Sequence, residues 1–96
     1  MPIFEWNHAK ARRNQAKHAV GFELAERVFA DPYALMLQDR VEEGEERWQA
    51  IGRVGSYTIL VVAHVIRMRD TEEIIRIISV RRALKHERRL YESQAY

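Results

Sequence analysis

Two apolar runs rich in β-branched residues constrain the fold of this chain more than any other feature. They cover residues 57–66 and 74–80. β-Branched side chains favour strands, and a strand that is apolar almost throughout belongs in the interior of a sheet, so we expect the second run to be central. Gly55-Ser56 predicts a tight turn into the first run.

The other predicted elements surround these two strands. Asn7 is a good N-cap for a helix, and Asp31-Pro32 stops a second helix, because proline disfavours a helical residue before it. In chain order we predict strand 4–6, helices 8–18 and 22–30, strands 34–38, 47–54, 57–66 and 74–80, and helix 82–92, with an acidic loop at 39–46 and a polar turn at 68–73. This order predicts an α+β fold with a mostly antiparallel sheet.

Length and composition restrict the classes of protein. We expect 96 residues to form a single domain. The chain has no cysteine, which excludes disulfides and thiolate chemistry. Its longest uncharged apolar run, residues 57–63, is too short to cross a bilayer, and we expect no membrane partner. The N-terminus lacks a basic segment followed by an apolar one, so we expect no secretory signal and a cytoplasmic protein.

Charge is distributed unevenly along the chain. Residues 76–92 are strongly basic and residues 39–46 strongly acidic, although the net charge is only +2. A basic face indicates a polyanionic partner. The alternative is a solvated helix flank offset by the acidic segment.

Polar residues interrupt the apolar strand 74–80. Strict alternation puts Ser79 and Arg81 on the face of Ile75 and Ile77, with Arg76 on the opposite face. An arginine here either pairs with a carboxylate, for which Glu5 and Glu46 are candidates, or lines a groove that holds an anion. In the strand before it, we expect His64 to face an edge or a groove rather than to bind a metal.

The spacing of the four histidines and of the carboxylates matches no metal motif. No phosphate-binding glycine loop and no Gly-x-Ser-x-Gly turn is present. We therefore expect no metal and no cofactor. The remaining candidate site residues are Lys17, His18, Arg47, Arg76, Ser79 and Arg81. They suit cleavage of RNA by its own 2′-hydroxyl, which needs a proton acceptor, a proton donor and fixed cations for the phosphate.

Three blocks of the sequence together resemble the BrnT family of toxins from type II toxin–antitoxin modules. The first block is Phe4-Glu5-Trp6-Asn7, Lys10, Asn14, Lys17-His18, Val20, Phe22, Ala25, Val28-Phe29 and Asp31; the second is Glu45-Glu46-Arg47-Trp48 with Ile51-Gly52; the third is Ile75-Arg76-Ile77-Ile78-Ser79, Arg81-Arg82-Ala83 and Glu87-Arg88-Arg89-Leu90-Tyr91. The chain departs from the family pattern at Asn7, where Asp is usual, at Ala19, where Gly is usual, and at Val80, where Ala is commoner.

The resemblance implies one toxin domain over residues 1–96, with a fold like the RelE ribonucleases: a curved antiparallel sheet flanked by two N-terminal helices and one C-terminal helix. It implies RNA cleavage that halts translation, and neutralisation by a BrnA-like ribbon-helix-helix antitoxin. It further implies an assembly of two toxins with two antitoxins, in which operator DNA is bound only through the antitoxin.

The resemblance also suggests roles for the candidate residues. His18 is our candidate proton shuttle, Arg76 and Arg81 are candidate phosphate clamps, Lys17 and Arg47 add positive charge, and Ser79 orients its neighbours. Each has a structural interpretation as well, as an ion pair or as a cation at a helix end. The alternative function is a small basic module that binds an acidic peptide or nucleic acid without cleaving it.

Several apolar residues are candidate contacts for an antitoxin. An antitoxin segment needs apolar anchors, since aromatic and Met side chains dominate the centres of interfaces. The candidates are Tyr33, Leu35, Met36 and Tyr57, whose alternative is core packing. We expect Glu87, Arg88 and Tyr91 to pin the last helix to the sheet.

Overall fold

The computed structural model describes residues 2–56 and 58–94, which contain five strands and three α-helices. The strands are Ile3–Glu5 (β1), Leu35–Glu42 (β2), Glu45–Val54 (β3), Thr58–Arg69 (β4) and Glu72–Arg82 (β5), and the helices are His8–His18 (α1), Ala25–Phe29 (α2) and Lys85–Ser93 (α3). The predicted order of elements is confirmed. The predicted second helix is shorter, because its first turn, Phe22–Leu24, is a 3-10 turn.

The strands form one sheet in the order β1-β5-β4-β3-β2. β1 pairs with β5 in parallel, and the other neighbours are antiparallel, so the expectation of a mostly antiparallel sheet is confirmed. β5, which we expected to be central, is an interior strand between β1 and β4, and the middle position belongs to β4.

The β2–β3 and β4–β5 hairpins are longer than predicted. The prediction of an acidic loop at 39–46 is wrong, since β2 continues to Glu42, β3 begins at Glu45, and only Glu43 and Gly44 form the turn. Both turn residues have positive φ, 52° and 79°, as a two-residue hairpin turn requires. The polar turn at 68–73 likewise shrinks to residues 70 and 71. Charged residues can extend these strands because ion pairs cross between them, such as Glu45 with Arg67 at 2.6 Å.

The two faces of the sheet are covered differently. One face, which we call the helical face, packs against the segment from α1 to α2, and its core contains Val20, Phe22, Ala25 and Val28 with Ala50, Leu60, Val62, Ile75, Ile77 and Val80. The other face, which we call the open face, packs against α3 through a smaller cluster of Ile51, Ile59, Val61 and Tyr91 with Leu35, Leu37 and Ala83.

A β-bulge at Ile78 reverses the predicted alternation of β5. Ile77 pairs with His64 and Ser79 pairs with Ala63, so Ile78 is the extra residue. Paired residues point to the same face, and Ala63 lies between Val61 and Val65 on the open face. The prediction that Arg76 faces away from Ser79 and Arg81 is therefore wrong: the bulge puts all three on the open face.

Helix α3 is held at both ends. It begins at Lys85 rather than residue 82, because the Ala83 N–H still extends the sheet by donating to the Ile59 carbonyl at 2.9 Å. Near its C-terminus the buried Tyr91 donates a hydrogen bond to Asp31, whose carboxylate also accepts from the Arg53 N–H at 2.7 Å. Tyr91 thus pins the helix as expected. No helix in the described residues has both the length and the apolar character to span a bilayer.

Candidate functional site

The open face carries four of the six predicted site residues in three neighbouring rows across the strands. The charged row has Val65 on β4 between Arg47 on β3 and Arg76 on β5. Val65 pairs with Arg76, and Val65 and Arg47 are the next residues of their strands beyond the pair of His64 and Trp48. The middle row is Leu37, Gln49, Ala63 and Ser79, and the third row, next to α3, is Leu35, Ile51, Val61 and Arg81.

The two arginines of the charged row have loose carboxylate partners. Arg76 lies 3.5 Å from Glu5, which is opposite it on β1, and Arg47 lies 3.7 Å from Glu42. Neither contact reaches hydrogen-bond geometry, and the Nε of Arg47 is buried with no hydrogen-bond partner among the residues that the structure describes. The prediction of Glu5 as a partner of Arg76 is confirmed. Both guanidinium groups keep donors for another anion.

Arg81 is bound more tightly. Its two terminal nitrogens donate to the two carboxylate oxygens of Glu87 at 2.7 and 2.8 Å. This hydrogen bonding raises the pKa of Arg81 and lowers that of Glu87. Glu87 also accepts from the Leu84 N–H, so it joins the start of α3 to β5, as expected. The guanidinium of Arg81 is therefore largely occupied by this tether.

Lys17 and His18 lie on α1, away from the three rows of the open face. They line a groove of about 400 Å³ between α1 and β5, with Lys10, Arg13, Asn14, Ile78 and Ser79. β1 ends opposite Arg76, so no strand among residues 2–56 and 58–94 pairs with the edge of β5 beyond that point, and this edge faces the groove. Ser79 belongs to both the groove and the middle row of the open face.

The helix end that carries Lys17 and His18 closes at Ala19. This residue takes the left-handed conformation, with φ 58° and ψ 30°, and its N–H donates to the Gln15 carbonyl. The position thus requires the positive φ that glycine adopts most easily.

The buried Asn14 of α1 fixes the helix against β5. Its amide nitrogen donates to the carbonyls of Val80 at 2.7 Å and Val20 at 3.0 Å, and its oxygen accepts from the Val80 N–H at 3.2 Å. It therefore hydrogen-bonds to the backbone of β5 as a neighbouring strand would. From the sequence, Asn14 was named only within the first block that resembles the BrnT family, and the signal for its role was a polar side chain among alanines.

His64 was expected at an edge or groove, and this is wrong. The residue is fully buried on the helical face, edge-on to Phe29 with ring centroids 4.8 Å apart, and its Nδ1 lies 3.0 Å from the Val62 carbonyl. Burial lowers the pKa of His64, so the ring is neutral near pH 7. It packs as part of the core.

The expected antitoxin anchors have different environments. Tyr33 and Met36 are exposed by 59% and 46%, while Leu35 packs against the cluster beneath α3. Tyr57 lies outside the described residues.

Comparison with known proteins gives a family and a fold. The family model described as "Ribonuclease toxin, BrnT, of type II toxin-antitoxin system" matches residues 6–87. The sequence matches no curated protein significantly. The fold is similar to that of the Brucella abortus ribonuclease toxin BrnT, whose crystal structure at 1.1 Å resolution aligns with a TM-score of 0.68 and 24% identity over 88% of this chain and 100% of that chain. Since the family model covers most of the sequence, the chain belongs to the BrnT family of ribonuclease toxins of type II toxin–antitoxin systems.

Proposed function

We propose that this chain is a metal-independent endoribonuclease that cleaves RNA by attack of the 2′-hydroxyl on the adjacent phosphodiester. One observation carries the proposal: Arg47, Arg76 and Ser79 share the open face of the sheet, and Ser79 also borders the groove of Lys17 and His18. Arg47 and Arg76, whose carboxylate partners are loose, supply the fixed cations that this reaction needs, and His18, in the groove that Ser79 borders, supplies the proton transfer.

The proposed roles follow from these positions. Arg76 binds the scissile phosphate, and Arg47, across Val65 from it, adds a second guanidinium. His18 moves the proton, with Lys17 as electrostatic support and Ser79 as an orienting hydrogen-bond partner. We keep Arg81 as a candidate phosphate ligand, with fewer donors to offer than Arg76, because Glu87 occupies both of its terminal nitrogens.

The biological context is part of the same proposal. We infer that residues 1–96 form one toxin domain of RelE-like type, that RNA cleavage inhibits translation in the cytoplasm, and that a BrnA-like ribbon-helix-helix antitoxin neutralises the chain. Two toxins would assemble with two antitoxins, and operator DNA would be bound through the antitoxin. A type II antitoxin partner follows from the family itself.

The test is cleavage of single-stranded RNA by the purified toxin, freed of antitoxin, in excess EDTA. We expect cleavage that leaves 5′-hydroxyl ends. Arg76→Ala should lower kcat/KM at least about 100-fold, whereas Arg27→Ala, an exposed arginine on α2, should cleave as the wild type does. Circular dichroism should be native for both.

Two results would contradict the proposal. RNA that is bound but stays intact at every enzyme concentration indicates the alternative, a binding module without catalysis. Activity that EDTA abolishes and Mg²⁺ restores indicates a metal-dependent mechanism.

A further inference from the structure

The middle row of the open face differs in charge from the rows beside it. Leu37, Gln49, Ala63 and Ser79 are all uncharged, while the row on one side contains Arg47 and Arg76 and the row on the other side contains Arg81. Successive rows on one face are about 7 Å apart, since they are two residues apart along each strand. An uncharged strip therefore lies between the row of Arg47 and Arg76, whose carboxylate partners are loose, and the row of Arg81, whose charge is paired with Glu87.

The same row also contains two of the smallest side chains of this face. Ala63 pairs with Ser79 on β5 and with Gln49 on β3, and the preceding and following residues on that face of β4 are Val61 and Val65. The methyl group of Ala63 and the hydroxymethyl group of Ser79 lie side by side and are shorter than the side chains around them. From these sizes we expect a depression in the sheet surface at this pair. Ala63, Ser79 and Gln49 all keep partial solvent exposure, so α3 does not close this depression.

Gln49 is the polar side chain beside this depression. None of the side-chain hydrogen bonds among the described residues involves Gln49, and its side chain is partly exposed. An amide has two donors and an acceptor, which can pair with the polar edge of a nucleobase. The apolar surface of Leu37 and Ala63 suits the flat face of the same base.

We propose that Gln49, Ala63 and Ser79 form a nucleoside subsite, in which a base of single-stranded RNA rests on Ala63 and Gln49 hydrogen-bonds to its edge. This inference rests on the proposed ribonuclease function and names the part of the site that selects sequence. The phosphate on one side of this nucleoside lies against Arg47 and Arg76, because a polyanion places its charge at guanidinium groups with loose partners and its uncharged part on the uncharged row. Gln49 is then a specificity-determining residue and Ala63 sets the space.

The first test fills the depression. Ala63→Leu should lower kcat/KM for single-stranded RNA about tenfold or more, since a leucine takes the place of the base. Ala63→Val, a smaller and β-branched substitution suited to a strand, should give an intermediate loss. Ala30→Leu is the matched control, because Ala30 is exposed at the end of α2 on the helical face, and it should keep wild-type kinetics.

The second test reads sequence preference directly. Wild-type protein and Gln49→Leu are incubated with a randomised single-stranded RNA, and the cleaved positions are sequenced. Gln49→Leu should flatten the preference at one nucleotide next to the cleaved bond, whereas the exposed helical variant Gln15→Leu should leave the preference unchanged.

The outcomes separate the two proposals. If the wild-type protein leaves RNA intact, the ribonuclease proposal and the subsite both fail. If it cleaves, and either Ala63→Val retains full kcat/KM or Gln49→Leu retains the wild-type sequence profile, the subsite alone is overturned. A graded loss from Ala63→Val to Ala63→Leu, together with an altered profile in Gln49→Leu, supports it.

Discussion

The carboxylate of Glu87 holds Arg81 through two hydrogen bonds, at 2.7 and 2.8 Å, and joins the start of α3 to the end of β5. Glu87 is buried, and the Arg81 side chain is 27% exposed. Removing one partner of such a charge pair lowers the free energy of unfolding by more than the intact pair contributes relative to an apolar pair. The reason is that the remaining charge is left without its partner. Arg81 therefore acts first as the attachment point of a helix.

This attachment predicts a strong effect of Glu87→Gln. The variant should lose about 2 kcal/mol of unfolding free energy at pH 7 in urea melts, since two charge-assisted hydrogen bonds become weaker. Glu92→Gln, on the exposed side of α3, should change stability by less than about 0.5 kcal/mol. Equal stabilities of the two variants would show that the pair contributes nothing.

The same pair predicts a pH dependence. The pKa of Glu87 lies below its usual 4.5 in the folded protein, chiefly because of the hydrogen bonds from Arg81. Its contribution to stability is present above pH 4.5 and is lost as the pH falls through the lower folded value. Wild-type protein should therefore lose its advantage over Glu87→Gln in urea melts below about pH 4.5. A gap that stays constant down to acid pH would contradict this.

Tyr91 predicts the opposite dependence at alkaline pH. Burial and the hydrogen bond to Asp31 raise the pKa of Tyr91 to about 12, from 10.0. Below pH 10.0 the Tyr91 hydroxyl is protonated in both the folded and the unfolded protein, so its contribution to stability is complete there. That contribution is lost as the pH rises towards 12. Tyr91→Phe should cost about 1.5 kcal/mol near neutral pH, and this gap should narrow between pH 10 and 12. Tyr33→Phe, an exposed tyrosine, should show neither effect.

Ala19 predicts a stabilising substitution. Its φ of 58° is unfavourable for alanine and easy for glycine. Ala19→Gly should gain about 1 kcal/mol in thermal or urea melts, while Ala16→Gly, inside α1, should lose about 1 kcal/mol. A loss in both variants would show that glycine's greater freedom in the unfolded chain outweighs the relief of strain at position 19.

Glu5 predicts a change in RNA affinity. It lies 3.5 Å from Arg76 and competes with any phosphate for that guanidinium. Under the proposed function, Glu5→Gln should lower KM for RNA about threefold at low salt, and the effect should shrink at high salt. Glu26→Gln removes the same charge from an exposed site on α2 and should leave KM unchanged. A KM that rises in Glu5→Gln would mean that Glu5 positions Arg76 for binding.

The fold was predictable where the pattern is local. Three confirmed predictions depend on neighbouring residues in the sequence: the N-cap at Asn7, the helix that follows it, and the order of the strands along the chain. The extended hairpins were not predictable, because a charged segment such as 39–46 becomes strand only when its partner strand offers opposite charges, as Arg67 does for Glu45.

The candidate site shows the same division. Residue types and their spacing suggested Arg47, Arg76 and Ser79, but strict alternation separated Arg76 from Ser79. The bulge at Ile78 brings them to one face, and it depends on how β5 pairs with β4, which periodicity in β5 alone does not contain. The role of Gln49 and Ala63 was hidden for a related reason, since a depression is a property of three strands together.

Asn14 holds α1 against the sheet. Its three hydrogen bonds join α1 to Val20 and to the buried edge of β5 at Val80. Asn14→Ala should cost about 3 kcal/mol, because the Val80 N–H and two carbonyls lose their partner in a buried place. Gln15→Ala, one residue further along the exposed side of the helix, should change the unfolding free energy by less than about 0.5 kcal/mol. A cost below about 1 kcal/mol in urea melts would mean that water replaces the amide at this edge, and that α1 is held against the sheet by its apolar contacts alone.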